Sequence, residues 1–278
     1  MEENQFLKAR HLADSESQSS QELNKQWWEN LPMTYEDWEK GDRLPKDFAE
    51  LEMIFLQSNP WIGKNFDFSK WKNKRVLEIG CGSGAATCLF AKAHANVVAI
   101  DLTEMATKLT KMNALSQKLN VEVFNMDAEK TAFESGSFDF VFSWGVLHHS
   151  STPMEAFREV SRLLHLGGEG LIMVYNRNSL RYYLKGMYWL IVKGKFFVGD
   201  SLETVQRYFT DGYYHKHYTP AKLVCSLASV GLKTKKTSID HMAKKMIPFI
   251  PRVLDDYLKR TMGWLLIVEF IKGNYSRG

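Results

Sequence analysis

Residues 76–84 read Val-Leu-Glu-Ile-Gly-Cys-Gly-Ser-Gly, a short apolar strand that runs directly into a glycine-rich turn. The glycines of this turn carry no Cβ, so a ligand can approach its backbone closely. The same spacing also satisfies the pattern that seats a dinucleotide pyrophosphate at a helix N-terminus. Glu78 argues for a different ligand, because a carboxylate before the turn repels phosphate and attracts a cation. The stretch therefore predicts a nucleotide-like ligand, and Glu78 favours one with positive charge.

Strand and helix patterns alternate along the chain on both sides of this turn. The pattern predicts helices over 85–95, from the Thr103 cap to residue 119, over 153–164, and over 220–230 after the Thr219 cap. Strands are predicted at 76–79, 97–100, 121–124, 138–144, 170–175, 232–239 and 264–271, with a Gly167-Gly168 turn before the fifth. Such alternation indicates an α/β fold with a parallel sheet, helices on both faces, and ligands at the carboxyl ends of the strands.

Composition restricts the class of protein. The chain has 278 residues, 45% of them hydrophobic, which is enough for one large α/β domain with additions. Its net charge of +4 does not by itself indicate a nucleic-acid partner. The three cysteines lack the spacing of a zinc site or a disulfide framework. Residues 1–26 lack an apolar signal segment, and no apolar run approaches the roughly 20 residues that span a bilayer. We expect a soluble cytoplasmic protein without a metal site.

Two aspartates end neighbouring predicted strands at the ligand edge. Asp101 follows the glycines at the distance where an acidic residue binds ribose hydroxyls. Its alternative role is to begin the turn before Thr103, but the glycine motif favours the ribose. Asp127 ends the third strand, where its carboxylate could accept a hydrogen bond from an adenine amine while the Ala128 backbone donates one. Its alternative role is that of a turn former.

Four segments in this order resemble the class I S-adenosylmethionine-dependent methyltransferases, in particular the group similar to the ubiquinone-biosynthesis enzymes. They are residues 76–84, Val-Ala-Ile-Asp at 98–101, Asn-Met-Asp-Ala at 125–128, and Ser-Phe-Asp-Phe-Val-Phe-Ser-Trp-Gly-Val-Leu-His-His at 137–149. The Leu-Leu-His-Leu-Gly-Gly segment at 163–168 also matches, with Leu166 where the family usually has proline. The resemblance implies a Rossmann-like, mostly parallel seven-stranded sheet with a reversed last strand, and S-adenosylmethionine as cofactor.

The resemblance also implies roles for individual residues. Glu78 would lie near the methionine amino group, Asp101 at the ribose and Asp127 at the adenine, with residues 143–146 beside the sulfonium. The expected cofactor-binding residues are Glu78, Gly80, Cys81, Gly82, Gly84, Asp101, Leu102, Asp127, Ala128, Ser143 and Trp144.

The acceptor side is predicted from histidines and polar aromatics near the same edge. His149 follows the fourth strand, and an imidazole with its reference pKa near ~6.5 suits proton transfer at neutral pH. A helix cap or a backbone hydrogen bond is an equal alternative for His149, and the favoured one for His148. The catalytic candidates are His149, His215 and His217; the substrate-binding candidates are Tyr35, Tyr175, Asn176, Tyr214 and Tyr218. Amphipathic packing is the alternative for the tyrosines.

We divide the chain into an N-terminal helical extension at 1–60, a cofactor-binding core at 61–176, an inserted helical lid at 177–218, and the rest of the core sheet at 219–278. Aromatics of the extension (Trp27, Trp28, Tyr35 and Trp38) would pack on the core or cover a ligand pocket. Residues 177–195 are basic and aromatic without an acidic residue. They would form an amphipathic helix on an anionic lipid surface or, as we favour, a lid packed on the domain with its lysines in water.

The leading hypothesis is a methyltransferase for a small acceptor, apolar or anionic, with the methylated atom left open. A nucleic-acid methyltransferase is disfavoured, because residues 143–146 lack the Asn/Asp-Pro-Pro-Tyr/Phe tetrapeptide and no domain is strongly basic. An NAD-dependent oxidoreductase fits the glycines and Asp101, but Glu78 opposes it. A non-catalytic protein of the same fold is the third alternative. Oligomeric state cannot be read from the sequence.

Overall fold

The computed structural model describes residues 20–29, 48–210, 212–241 and 251–273. Their strands are β1 (Arg75–Ile79), β2 (Asn96–Asp101), β3 (Glu122–Asn125), β4 (Phe138–Trp144), β5 (Leu164–Tyr175), β6 (Leu232–Asp240) and β7 (Leu265–Lys272). In the described part of the chain these form one seven-stranded sheet in the order β3-β2-β1-β4-β5-β7-β6. Strands β1 to β5 pair in parallel, whereas β7 runs antiparallel to both β5 and β6. The predicted fold, including the reversed last strand, is confirmed.

Helices flank this sheet on both faces. They are α1 (Ser20–Glu29), α2 (Ala49–Ser58), α3 (Pro60–Asn65), α4 (Ala85–Lys92), α5 (Glu104–Ser116), α6 (Pro153–Leu163), α7 (Leu180–Met187), α8 (Pro220–Ala228) and α9 (Arg252–Met262). Both predicted caps are confirmed: the Thr103 and Thr219 hydroxyl oxygens each accept a hydrogen bond from a backbone N–H of the first helical turn. These caps start α5 and α8 directly after loops at the ends of the sheet.

Several predicted boundaries are wrong by a few residues. Helices α4 and α5 end before the predicted residues 95 and 119, because His94 and Lys118 adopt left-handed backbone conformations that stop a helix. Strand β5 begins at Leu164, so Gly167 and Gly168 lie inside the strand instead of in a turn before it. A register shift between Phe138 and Phe140 of the neighbouring strand accommodates them.

The hydrophobic core has one layer on each face of the sheet. Val141 of β4 packs in the layer under α6 and α8, together with Phe157 and Leu223. Its neighbours Phe140 and Phe142 point to the opposite layer, which includes residues of α2, α3 and α4. Helices α2 and α3 lie before and after the predicted domain boundary at residue 60, and both pack against the same face of the sheet.

The segment between β5 and α8 is helical and irregular. A bridge between Asn176 and Tyr218 joins its two ends. It contains α7, a π-helical turn at 188–192, and short 3-10 helices at 195–198 and 205–208. None of the helices in the described ranges combines the length and apolarity needed to cross a membrane.

Candidate active site

A cavity of about 680 Å³, including its open mouth, lies at the carboxyl ends of β1, β2 and β4. The loops after the strands and the N-terminal helix α1 form its wall. The lining residues are Gln21, Asn24, Trp28, Ile79, Gly80, Ile100, Asp101, Leu102, Thr103, Met126, Asp127, Ala128, Gly145, Val146, Leu147, His149 and Ser150. This is the edge at which parallel α/β sheets bind ligands.

The glycine turn is anchored on β2 and closed by the loop after β4. The backbone N–H groups of Gly80 and Cys81 both donate to the Ile100 carbonyl oxygen, at 2.8 and 3.1 Å. Gly80 has φ +80°, and a Cβ there would lie 2.1 Å from a methyl carbon of Val146. Only glycine fits here, because the Val146 side chain occupies the space that a Cβ needs.

Glu78 lies behind the turn and not in the cavity wall. Its carboxylate is buried and accepts a hydrogen bond from the Thr87 hydroxyl. Burial, assisted by the nearby Asp101 charge, raises the pKa of Glu78 to about 8. A cation held at the turn favours the ionised form and lowers this pKa. Glu78 can therefore supply a counter-charge to a bound cation without touching it.

Asp101 forms part of the cavity wall, as the sequence predicted for a ribose-binding carboxylate. Its Oδ2 accepts from the Gly82 N–H at 3.1 Å, and its Oδ1 accepts from the Thr103 N–H and hydroxyl at 3.0 and 2.9 Å. These bonds fix the carboxylate. An ionised carboxylate has about four acceptor sites and three are used here, so one remains on Oδ2 for a hydroxyl of a diol.

Asp127 is bridged to α1 across the cavity. Its Oδ2 accepts from the Gln21 side-chain N–H at 2.9 Å, and its Oδ1 accepts from the Glu129 backbone N–H at 2.9 Å. The Gln21 Oε1 atom is buried and has no hydrogen-bond partner among the described residues. Buried acceptors of this kind are nearly always satisfied. An acceptor beside the Asp127 carboxylate fits an exocyclic amine of adenine.

Helix α1 covers the cavity through further contacts that were not predicted. Asn24 donates to the His149 carbonyl oxygen at 2.9 Å, and its own Oδ1 is buried without a partner among the described residues. The Glu29 carboxylate accepts from the Glu104 N–H at 2.6 Å, at the start of α5. The Trp28 and His149 rings pack edge to face, with their centroids 5.0 Å apart. This contact agrees with the prediction that aromatics of the extension cover a ligand pocket. Helix α1 and the loop after β3 both present polar atoms to the cavity, and together these atoms fit S-adenosylmethionine.

Six predicted cofactor residues lie outside the cavity wall. One is Glu78; the others are Cys81, Gly82, Gly84, Ser143 and Trp144. Trp144 points to the opposite face, where its indole N–H donates to Asn59 at 2.8 Å. Ser143 is buried within β4. Residues 145–147 line the cavity instead, because the chain leaves the sheet after β4 and side chains no longer alternate between its faces.

A cluster of rings adjoins the cavity on the side of β5. Tyr175 lies at its centre, with ring centroids 4.1 Å from His148, 5.5 Å from His149, 5.7 Å from His217 and 4.5 Å from Trp264. The sequence predicted three of these residues as site residues. His148 and Trp264 were not among them, because a helix cap or a backbone hydrogen bond was favoured for His148 and Trp264 lies outside the matched segments.

His149 is held in one tautomer. Its Nδ1 lies 2.8 Å from the Tyr214 carbonyl oxygen, which can only accept, so Nδ1 carries the proton and the lone pair is on Nε2. Burial lowers the pKa of His149 to about 3. The imidazole is therefore neutral across the physiological pH range, and its residue lines the cavity.

The remaining histidine candidates lie further from the cavity. His217 is buried between Tyr175 and Trp264, neither of its ring nitrogens has a hydrogen-bond partner among the described residues, and burial lowers its pKa. His215 is half-buried, with its ring centroid 6.2 Å from that of His217. Neither residue lines the cavity.

Other substrate candidates are placed differently. The Asn176 side chain is buried and held by the protein: its amide N–H donates to the Gly263 carbonyl at 2.8 Å and its oxygen accepts from the Asn178 N–H at 3.0 Å. Tyr218 is buried in the hydrophobic core beside Phe157, and burial raises its pKa. Neither placement supports contact with a substrate. Tyr35, like Trp38, lies outside the described residues.

Comparisons with known proteins agree with this geometry. Residues 77–172 match the family model described as a methyltransferase domain. The chain is 28% identical to a ubiquinone biosynthesis O-methyltransferase of Aromatoleum aromaticum over 60% of its own length and 65% of the relative's, less than two thirds. It is 25% identical to the protein of that name from Xanthomonas euvesicatoria over 86% and 88% of the two chains. A solved S-adenosylmethionine-dependent methyltransferase from Mesorhizobium loti shares the fold, with a TM-score of 0.54, 18% identity, and coverage of 81% of this chain and all of the other.

Proposed function

We propose that this chain, whose residues 77–172 match a methyltransferase domain, transfers a methyl group from S-adenosylmethionine to a hydroxyl oxygen of a small, apolar acceptor. The observation that carries the proposal is the neutral His149 in the wall of a cavity that also presents Asp101 and Asp127. The relatives named O-methyltransferase support oxygen as the methylated atom. The free cysteines and the absence of a spanning helix among the described residues support a cytoplasmic location, and the small net charge supports a partner other than nucleic acid.

The cofactor-binding roles follow from the cavity. We assign the ribose hydroxyls to Asp101, the adenine amine to Asp127 and the Gln21 Oε1 atom, and the positive charge to Glu78 behind the turn. S-adenosylmethionine, when bound, supplies a methyl group activated by its sulfonium. Gly80 and Val146 form one wall for the ligand, because the missing Cβ of Gly80 leaves room for the Val146 side chain.

The acceptor properties follow from the ring cluster. Tyr175, Trp264 and the neutral histidines present apolar ring faces, so they favour an apolar acceptor, and the Arg181 guanidinium lies over the Trp264 ring at 4.8 Å. We assign proton removal to the His149 Nε2 atom. A base with so low a pKa suffices, because a hydroxyl oxygen becomes strongly acidic as it gains a bond to carbon. The Tyr214 carbonyl keeps the lone pair on Nε2 until that atom takes the hydroxyl proton, which then passes to solvent.

Replacing His149 tests this assignment. The His149→Asn variant can still donate to the Tyr214 carbonyl but lacks Nε2, and we expect its kcat to fall by about 100-fold, a typical contribution of general base catalysis. Because neutral imidazole is the active form and its pKa is about 3, wild-type kcat/KM should lose activity through this group only as pH falls well below 5.

The matched control for the base is His217→Phe. His217 is a buried neighbouring histidine whose ring nitrogens contact no described partner, so its replacement by another ring should lower kcat by less than about tenfold, the effect of altered packing alone. Equal losses in the two variants, or a normal kcat in His149→Asn, would show that His149 is not the base.

The function itself is tested by binding and turnover. Isothermal titration should show binding of S-adenosylmethionine and S-adenosylhomocysteine but not of NAD. A screen of phenols, aliphatic alcohols, amines and thiols for S-adenosylhomocysteine release should find turnover with an apolar hydroxyl compound. NAD binding in place of S-adenosylmethionine would support the oxidoreductase. Release only with amines or thiols would contradict oxygen as the acceptor atom.

A further inference from the structure

A carboxylate beside the cavity joins two of the loops that form its wall. Glu129 lies in the loop after β3, and its side chain binds the loop after β4. Its Oε1 atom accepts from the Ser150 hydroxyl and, at 2.9 Å each, from the Ser151 hydroxyl and the Thr152 N–H. Its Oε2 atom accepts from the Thr152 hydroxyl. Donors from three consecutive residues, directly after His149, therefore bind one side chain.

The ionised form of Glu129 matches these donors. Burial raises the pKa of this carboxyl, but the hydrogen bonds from Ser150, Thr152 and Ser151 outweigh it and hold the pKa of Glu129 below its usual range. An ionised carboxylate offers acceptors only. The Thr152 hydroxyl, at the N-cap position of α6, donates to Glu129 and makes no capping hydrogen bond within the described part of the chain. The contact thus joins two loops and is not an ordinary helix cap.

Glu129 is also tied to the cofactor side of the cavity. The Oδ1 atom of Asp127, the carboxylate assigned to adenine, accepts from the Glu129 backbone N–H at 2.9 Å. Helix α1 connects the same two loops, because Gln21 donates to Asp127 and Asn24 donates to the His149 carbonyl, each at 2.9 Å. Asp127 and His149 both line the cavity. The Glu129 side chain is a direct link between the loops that present them.

We propose that Glu129 is a positioning residue that holds the loop of His149, and with it the imidazole, in the cavity wall. The proposal rests on the methyl transfer and the base assigned above. The ring is held by the Tyr214 carbonyl, 2.8 Å from Nδ1, and the backbone is held by the contact to Glu129 that begins at the next residue. Reaction rates depend on the placement of catalytic groups to within about 1 Å, so release of residues 150–152 should slow proton removal.

The Glu129→Gln variant tests this role. Glutamine keeps the size of the side chain, but it has no charge, and its amide N–H groups cannot accept from the Thr152 N–H. We expect kcat to fall by about tenfold through misplacement of His149. The affinity for S-adenosylmethionine, measured by isothermal titration, should stay within about threefold, because the backbone N–H from which Asp127 accepts is retained.

A double variant distinguishes the positioning of His149 from a general structural role. Added to His149→Asn, which lacks Nε2, Glu129→Gln should lower kcat by less than about twofold further, because its effect passes through the missing group. Thr152→Ala tests the same contact from the other loop. It removes one donor and should lower kcat by about threefold, again only when His149 is present. Thermal melts show which variants fold.

The matched control is Glu159→Gln. Glu159 of α6 also binds the loop after β3, where it accepts from the Thr131 N–H and hydroxyl at 2.8 and 2.6 Å, and it forms an ion pair with Arg162. It does not line the cavity. Its replacement should lower the melting temperature, because a paired carboxylate is lost, and should leave kcat within about twofold.

Nitrogen NMR of histidine-labelled protein gives a readout that needs no acceptor. The signals of His149 are those that disappear in His149→Asn. In the wild type they should belong to a protonated Nδ1 and an unprotonated Nε2, as the Tyr214 carbonyl requires. In Glu129→Gln the two shifts should approach each other, because a ring released from that carbonyl exchanges between tautomers.

The outcomes separate this proposal from the one on which it rests. Unchanged His149 signals in Glu129→Gln would overturn the positioning role. So would a loss of kcat that is equally large in the His149→Asn background or in Glu159→Gln. If no acceptor is turned over, the proposed methyl transfer fails, and the nitrogen signals still decide whether Glu129 positions His149.

Discussion

We expect Asp101→Asn to weaken the binding of S-adenosylmethionine by about 100-fold, or ~2.7 kcal/mol, the cost of losing the proposed charged hydrogen bonding to the ribose. The carboxylate already accepts from the Gly82 and Thr103 N–H groups. Asn can turn its oxygen toward only one of these partners, and its amide N–H then faces another donor. The substitution thus removes both the charge and the acceptor capacity that a diol needs. Isothermal titration measures the affinity.

The matched control is Asp139→Asn at the other end of the sheet. Asp139 lies in β4 and, like Asp101, accepts from a backbone N–H, that of Arg75 at 2.8 Å. It is not part of the cavity wall. Its replacement removes the same charge and should leave the affinity for S-adenosylmethionine within about twofold, because exposed charges at such distance are screened. Equal effects of the two substitutions would contradict direct ribose binding by Asp101.

Gly80→Ala lowers the free energy of unfolding by about 3 kcal/mol, from overpacking and from left-handed backbone strain. The added Cβ would lie 2.1 and 2.7 Å from the two methyl carbons of Val146. Val146 lines the cavity, so its displacement should also weaken S-adenosylmethionine binding. Urea unfolding and isothermal titration measure the two effects.

Two further variants separate the free-energy cost of the steric clash from that of the left-handed backbone strain. Gly167 has φ +82°, close to that of Gly80, and a Cβ there has no atom within 4 Å, so Gly167→Ala should cost only the strain, about 1 kcal/mol. Val146→Ala removes the two nearest methyl carbons but keeps the Val146 Cβ at 2.9 Å, and it should recover about 1 kcal/mol when combined with Gly80→Ala. No recovery in the double variant would mean that the close approach of the two loops does not explain the cost.

The sequence predicted the parts of the site that depend on the succession of neighbouring residues along the chain. A strand, a glycine turn and a helix follow one another within residues 75–92, and strand ends carry Asp101 and Asp127. In a parallel sheet such ends meet at one edge, so the two carboxylates and the glycine turn were predicted together. The caps at Thr103 and Thr219 were equally local, since a cap and its partner lie in the same turn.

Tertiary contacts decided the rest. Gln21 reaches Asp127 across 106 positions of sequence, and no pattern near either residue predicts the pair. Trp144 ends β4 as predicted, but its indole N–H donates to Asn59 on the face away from the cavity, because the direction of a side chain there depends on where the strand leaves the sheet. His149 could have been a cap or a base, and the Tyr214 carbonyl 65 positions away fixed its tautomer.

The sequence alone determined the sheet, its ligand edge and the class of cofactor, because strand periodicity, glycine spacing and acidic strand ends act over a few residues. Only the tertiary structure decided which groups complete the cavity and which surface of the insertion is exposed. For the basic, aromatic segment at 177–195, the sequence favoured a packed lid over a lipid-facing surface but did not decide between them. The burial of the side chains distinguishes the two, and burial depends on contacts between distant parts of the chain. Trp189 is covered by Val205 and Phe209, whereas Phe197 is exposed.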